Sequence, residues 1–294
     1  MPSLLDMRRR IKSVKNTQQI TKAMKMVAAA KLKRAQDRVT SARPFAQKMT
    51  QVLGGLSARI GDDFSHPLLD ERGDENYLIV LVSADKGLAG AFNANVIKAT
   101  QAFLRENSTK QMQMIPVGRK GRDFFKRREM GFSEEYVGLT GTGSVKHEEA
   151  VEIANRIIRT FTEDESIDKV FIVFSEFKSV LSQKPVVEQL LPISRNTETE
   201  GDNASDNRGQ AEYIYEQTPT EIFGKLLPKQ VETQVYRAVL ESIASEQGAR
   251  MTAMDSASKN AGELIGTLTL NMNRIRQAAI TKEIIEVVSG AAAL

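Results

Sequence analysis

Little in this chain could act on a substrate. It has no cysteine, which removes thiol nucleophiles, disulfides and thiolate metal sites, and its imidazole chemistry rests on His66 and His147. His66 precedes Pro67 in a polar stretch, and His147 sits in Lys146-His147-Glu148-Glu149, without the second histidine of an HExxH zinc site. Both read as ordinary surface residues, and no metal, cofactor or catalytic residue is expected. Two glycine-containing turns lie where an α/β fold binds phosphates. They are Ser83 to Asn93 (SADKGLAGAFN), after one apolar run, and Gly118-Arg119-Lys120-Gly121-Arg122, after the next. Neither has the GxGxxG or GxxxxGK[ST] spacing, so each is expected to be a structural turn.

The remaining chemistry is charge. Arg8, Arg9, Arg10, Lys12, Lys15, Lys22, Lys25, Lys31, Lys33, Arg34 and Arg38 crowd the start of the chain. Residues 1–60 hold 14 Lys/Arg against Asp6 and Asp37, a net +12, whereas residues 61–218 hold 19 against 27 acidic residues and residues 219–294 hold 8 against 8. Acidic residues that would pair these cations along a helix are nearly absent, so an acidic partner surface is expected. Nucleic acid is the alternative partner, but a stacking surface needs interleaved aromatics and residues 1–60 offer Phe45 alone.

The elements that would carry this charge are long helices. Ser3 to Arg43 contains neither Gly nor Pro and is rich in helix formers, which predicts a helix of about 40 residues, about 60 Å long, ended or kinked at Pro44. After Pro228, apolar residues recur every seven positions at Met254, Ala261, Leu268 and Ile275, with Ile265, Met272 and Ala279 beside them. That predicts a second helix of about 60 residues, paired antiparallel with the first as a coiled coil. The first helix offers a weak seam: Ile11, Gln18, Lys25, Leu32 and Val39 in one column, Val14, Thr21, Ala28 and Ala35 in the other. Gly248, Gly262 and Gly266 each cost the second about 1 kcal/mol relative to Ala, consistent with a helix that bends or is held by surrounding protein. Its end, Ile280 to Leu294 (ITKEIIEVVSGAAAL), would protrude past the shorter helix, where a partner's apolar collar could bury Val287 and Val288.

Between the helices the period changes. Tyr77–Ser83, Met112–Val117 and Val170–Ser175 are strand-like runs, separated by helical stretches near 93–106, 121–130 and 145–161. This predicts a mostly parallel, Rossmann-like sheet, with Val186–Leu191 and Tyr213–Tyr215 as further strands and Asn196–Gln210 as a mobile loop. The fold expected is therefore α/β: residues 1–60 a coiled-coil helix, 61–218 a Rossmann-like domain, and 219–294 the second coiled-coil helix. At 294 residues with 41% hydrophobic and 27% charged, the chain can bury a core, and no apolar run nears the roughly 20 residues that span a bilayer. The start does not read as a secretory signal.

Two stretches carry a resemblance. Ile20 to Lys31 (ITKAMKMVAAAK) and Arg276 to Ala293 (RQAAITKEIIEVVSGAAA) closely resemble the terminal signatures of the gamma subunit of F-type ATP synthases. Ser83 to Asn93, Ala244 to Gln247 and Tyr213 to Glu216 also look like that family, although Lys86, Ala89 and Gly248 replace the usual Arg, Cys and Ala. The resemblance implies a non-catalytic central rotor shaft of the proton-translocating enzyme, without cofactor, peripheral to the cytoplasmic face of the cell's inner membrane. It implies alpha and beta subunits as partners, with the epsilon subunit and the membrane c-ring at the foot. The basic residues Arg8, Arg9, Lys12, Lys15, Lys22, Arg34 and Arg38, with Met24 and Lys25, would then face acidic beta-subunit loops. Arg276 and Gln277, with Thr281 and Glu283 nearby, would meet the beta catch loop, and Tyr213, Tyr215 and Glu216 would lie near epsilon and the c-ring. The absence of cysteine excludes the thiol switch of chloroplast relatives.

Overall fold

The computed structural model describes residues 4–57, 60, 64–141, 143–194 and 218–292. The strand expected at Tyr213–Tyr215 and the loop expected at Asn196–Gln210 lie outside them. In chain order the elements are α1 (Leu4–Ser57), β1 (Asn76–Val82), α2 (Phe92–Glu106), β2 (Gln111–Val117), α3 (Arg119–Lys126), α4 (His147–Glu163), β3 (Lys169–Phe177), β4 (Gln183–Leu191) and α5 (Pro219–Ala292). Contacts divide the chain into two units: one takes in the residues up to Ala30 and those from Arg250 onward, the other Lys31–Ala249. Helices α1 and α5 contribute to both.

The Lys31–Ala249 unit is built on a four-stranded sheet in the order β2-β1-β3-β4. β1 runs parallel to β2 and β3, and β4 closes the edge antiparallel to β3. Helices alternate with the parallel strands and cover the sheet, which is why β1 reads as an unbroken apolar run: Tyr77 through Val82 are all buried. Ile79, Leu81, Phe92, Val96, Met114 and Phe125 share one core cluster. A second contact set groups Tyr77, Phe103 and Phe171 with ring centroids 4.8–6.3 Å apart, the two pairs with Phe171 tilted by 56°. Along the same unit, Leu32, Ala35 and Val39 of α1 and Val231, Val235 and Ala238 of α5 are buried. Thr50 accepts a hydrogen bond from Gln230 and Arg43 reaches Glu241, so the two helices run antiparallel here.

In the other unit the expected columns form the seam. Met7, Thr21 and Ala28 are buried on α1, with Ile11, Val14 and Gln18 half-buried, and Met254 and Ala261 are buried on α5, with Ile265, Leu268, Met272, Ile275 and Ala279 half-buried. Gln18 donates to the Ser258 carbonyl at 3.3 Å, and Lys25 meets Asp255 at 2.6 Å, again an antiparallel pairing.

The helix bounds differ from expectation. Pro44 does not end α1, which runs 54 residues, and α5 runs 74 residues from Pro219 straight through Pro228. An internal proline removes one hydrogen bond and costs about 3 kcal/mol. Beyond Pro44, however, Leu53 and Leu56 are buried, and before Pro228 so are Phe223 and Leu227. Each such side chain contributes about 1.5–3 kcal/mol when taken out of water, so packing outweighs the local penalty.

Candidate partner-binding surface

Heptad geometry decides which α1 side chains stay outside. With residues 7, 14, 21 and 28 and residues 11, 18 and 25 turned toward α5, the side chains of Arg8, Arg9, Lys12, Lys15 and Lys22 are exposed. No ion pair among the described residues joins them. Arg34 is exposed in the same way, and Arg38 is exposed while donating to the Val145 carbonyl at 3.3 Å. Met24 is half-buried.

Lys25, expected among the partner contacts, differs from the other cations in having a mate within the chain, although its side chain stays 42% exposed. It occupies the seam column, and its Nζ lies 2.6 Å from Asp255 Oδ1, with Lys259 on the other carboxylate oxygen at 3.0 Å. The hydrogen bond from Lys25, and then that from Lys259, hold the Asp255 carboxyl below its ordinary pKa. One cation of the series is therefore neutralised within the chain.

Large apolar side chains stand among the free cations. Leu5, Ile20, Met26 and Val27 are 56–61% exposed. Ile20 and Val27 are seven residues apart and share a face with the exposed Ala23 and Ala30. Sequence reading missed this stripe because it sorted only the seam; the signal was a second apolar column at the same spacing.

Toward the end of α5, every residue from Arg276 to Ala291 is exposed except the half-buried Ala279. Arg276, Gln277 and Glu283 project freely, the Thr281 hydroxyl donates to the Gln277 carbonyl at 2.9 Å, and Lys282 and Glu286 approach to 3.5 Å. Ile280, Ile284 and Val287 fall at i, i+4 and i+7 on one face, with Ile285 and Val288 beside it, and all five are 48–72% exposed. Tyr213, Tyr215 and Glu216 lie outside the described residues.

The two glycine-containing turns are closed. Asn93 Oδ1 accepts the Ala84 N–H at 3.0 Å, Ser83 Oγ accepts the Gly121 N–H at 2.9 Å, and the amides facing the turn converge on the Asp85 carboxylate. His147 is exposed, edge-on to Tyr236 at 5.1 Å. His66 is half-buried rather than on the surface; its Nδ1 accepts the Leu68 N–H, and burial lowers its pKa. Among the described residues no helix is long and apolar enough to cross a membrane. The arrangement offers cationic and apolar contact.

The comparisons with known proteins agree on fold and family. A family model described as ATP synthase matches residues 3–294. The ATP synthase gamma chain of Solibacter usitatus is 52% identical over 296 residues, covering 100% of this chain and 99% of that protein. That of Heliobacterium modesticaldum is 50% identical over 295 residues, covering 100% of each. Among solved structures, a chain of the central stalk and c-ring of the Tetrahymena thermophila mitochondrial ATP synthase superposes with a TM-score of 0.59 at 25% identity, covering 81% of this chain and 99% of that one. A rotor chain of the Euglena gracilis mitochondrial enzyme matches in fold with a TM-score of 0.66 at 21% identity, covering 94% and 98%.

Proposed function

The chain belongs to the ATP synthase gamma chain family, and on that premise we propose that it is the central rotor shaft coupling ion-driven rotation to ATP synthesis. The observation that carries this reading is the end of α5, where five large aliphatic side chains stand 48–72% exposed on one long helix. Leaving such a surface in water costs about 25 cal/mol per Å², so it calls for a partner's apolar lining. The partners are the alpha and beta subunits of the catalytic head around the shaft, and the epsilon subunit and c-ring at its foot. Through them the chain is peripheral to the cytoplasmic face of the inner membrane.

The mechanism follows from asymmetry. A shaft that presents different side chains at each angle makes different contacts with three otherwise equivalent catalytic sites. Each site then shifts toward the conformation that its contact binds best. The exposed cations of α1 supply contacts to acidic loops, while Arg276 and Gln277 supply directional hydrogen bonds. Val287 and Val288 supply packing without direction, as a bearing surface must. The chain contributes no catalytic group of its own, and ATP is made and hydrolysed on its partners.

The test is reconstitution. The purified chain should show no ATP turnover, and adding it to alpha and beta subunits should produce rotation and coupled hydrolysis. Steady turnover by the pure chain, or an alpha-beta assembly that rotates equally well without it, would sink the reading.

A further inference from the structure

Asp85 stands just after β1, 7% exposed, where an α/β fold would hold a phosphate. Its Oδ1 accepts the N–H groups of Arg119 at 3.0 Å and Gly138 at 2.8 Å, and its Oδ2 accepts the N–H of Gly141 and the hydroxyl of Thr140, both at 2.9 Å. The Asp85 N–H donates back to Thr140 Oγ1 at 2.9 Å. Arg119 opens α3, and Gly118 before it has φ 104°, so the first turn of a helix and a loop aim their amides at one point. Three backbone N–H groups and a hydroxyl are the donors that draw an oxyanion to such a place. Here the chain supplies the anion itself. Burial works against the charge, but the four hydrogen bonds outweigh it and leave the Asp85 carboxyl below its ordinary pKa.

The bonds continue to α1. The Thr140 carbonyl accepts the N–H of Gly143 at 3.0 Å. Gly143 has φ 76°, and a Cβ there would lie 2.8 Å from Lys31 Cδ, so its backbone presses on the Lys31 stem in a conformation that other residues rarely adopt. Val145, buried two residues on, takes the Arg38 guanidinium on its carbonyl at 3.3 Å. Lys31 and Arg38 are seven residues apart on one face of α1.

We propose that Asp85 is a built-in anion that clamps residues 138–141 to the end of β1 and the start of α3, and so seats residues 143–145 on Lys31 and Arg38. The clamp is a positioning device. Resting on the rotor reading, it is a point at which torque on α1 is taken up by the sheet.

Amide exchange of the full-length chain decides the clamp. Asp85→Ala should speed exchange at Arg119, Gly138 and Gly141 tenfold or more, while β3 amides stay protected, and molar formate should restore protection by refilling the vacated carboxylate position. Asp85→Asn, which leaves no room for formate and presents an NH2 to the same donors, should exchange fast and resist rescue. Thr140→Val is the milder variant should Asp85→Ala fold poorly, with faster exchange expected at Gly138, Gly141 and Gly143. Unchanged exchange in Asp85→Ala and Thr140→Val, or equal rescue by chloride at the same ionic strength, overturns the clamp. In the assembled enzyme, Asp85→Ala should lower proton pumping per ATP hydrolysed. An unchanged ratio together with fast exchange overturns the torque role. A wild-type assembly that fails to couple overturns the rotor reading, while the exchange result, which needs no partner, still decides the clamp.

Discussion

The two units handle apolar surface in opposite ways. In the Lys31–Ala249 unit, β1 is buried from Tyr77 to Val82, and two polar groups taken inside at its ends are bonded: Asp168 accepts the N–H groups of Glu75 and Asn76, and Ser83 is bonded on both sides of its hydroxyl. In the unit of the chain ends, the seam buries Met7 and Met254 but otherwise Thr21, Ala28 and Ala261, where a self-sufficient coiled coil would place Leu and Ile, yet Ile20, Val27, Ile280, Ile284 and Val287 are left exposed. A region that hides most of its large side chains around a sheet is stabilised by itself, even with Phe45, Leu88 and Leu181 left exposed singly. A region that hides mostly small ones and shows most of its large ones is completed by something else.

The largest expected effect tests the first half of that contrast. Phe161 is fully buried, with the Arg72 guanidinium 4.5 Å above its ring and bonded to its carbonyl. Phe161→Ala should cost about 3–5 kcal/mol in denaturant unfolding of the isolated chain, the range for deleting a buried aromatic. Val287→Ala with Val288→Ala should leave that stability unchanged while lowering the yield of assembled complex. Equal losses in the two variants would erase the distinction between the units.

Next come the polar contacts of the exposed helix. Replacing both Arg276 and Gln277 with Ala removes directional groups from a surface that contributes nothing to the chain's own packing. Turnover of the assembled enzyme should fall about tenfold, equivalent to about 1.4 kcal/mol, with assembly yield retained. A loss of assembly with normal turnover per complex would reassign these residues from coupling to docking.

How much of this was legible depends on the range of the interaction. The β1 run and the buried stretches of β2 and β3 were readable because a parallel strand is apolar where both its faces are covered, and the columns through Thr21, Ala28, Met254 and Ala261 because heptad spacing is local. Helix continuation past Pro44 and through Pro228 was not, since the local penalty is overruled by burial of Leu53, Leu56, Phe223 and Leu227. The turn at Ser83 to Asn93 was expected to be structural because its glycine spacing fits no phosphate-loop motif, but the carboxylate that closes it bonds to residues 34 to 56 positions away. The pairing of Lys25 with Asp255 spans 230 residues and could not be read from charge counts along α1.

Acid separates two buried carboxylates. Asp85 has a folded pKa below its unfolded value, so its contribution is present above the ordinary carboxylate range, near pH 4, and is lost as pH falls through the folded value. Glu241 is shifted the other way, chiefly by burial, despite Arg43 and Arg237 nearby. Its contribution is present in acid and lost as pH rises through the folded value. The stability gap between wild type and Asp85→Asn should therefore be widest at neutral pH and close on acidification. The gap between wild type and Glu241→Gln should move in wild type's favour as pH falls. Urea midpoints collected from pH 7 to about pH 3 would show both trends, and parallel curves would overturn the assignment.

The smallest effect sharpens the comparison within one helix. Lys22 and Lys25 carry the same charge three residues apart, but Lys22 is exposed without an ion pair among the described residues, whereas Lys25 lies in the seam against Asp255. Both members of the Lys25 pair remain partly solvated, so water and salt screen it. Lys25→Ala should lower the melting temperature of the isolated chain slightly, and the difference should vanish in about 1 M salt, where the screening length shrinks to about 3 Å. Lys22→Ala should leave melting unchanged at any salt concentration. In the assembled enzyme the order should reverse, because an outward cation can reach an acidic loop while one held by Asp255 is already satisfied. Lys22→Ala should therefore weaken pumping more than Lys25→Ala does. If Lys25→Ala proves the more damaging in the complex while leaving melting untouched, the pair with Asp255 yields to the partner on assembly, and the seam at this height is a contact that opens rather than one that holds.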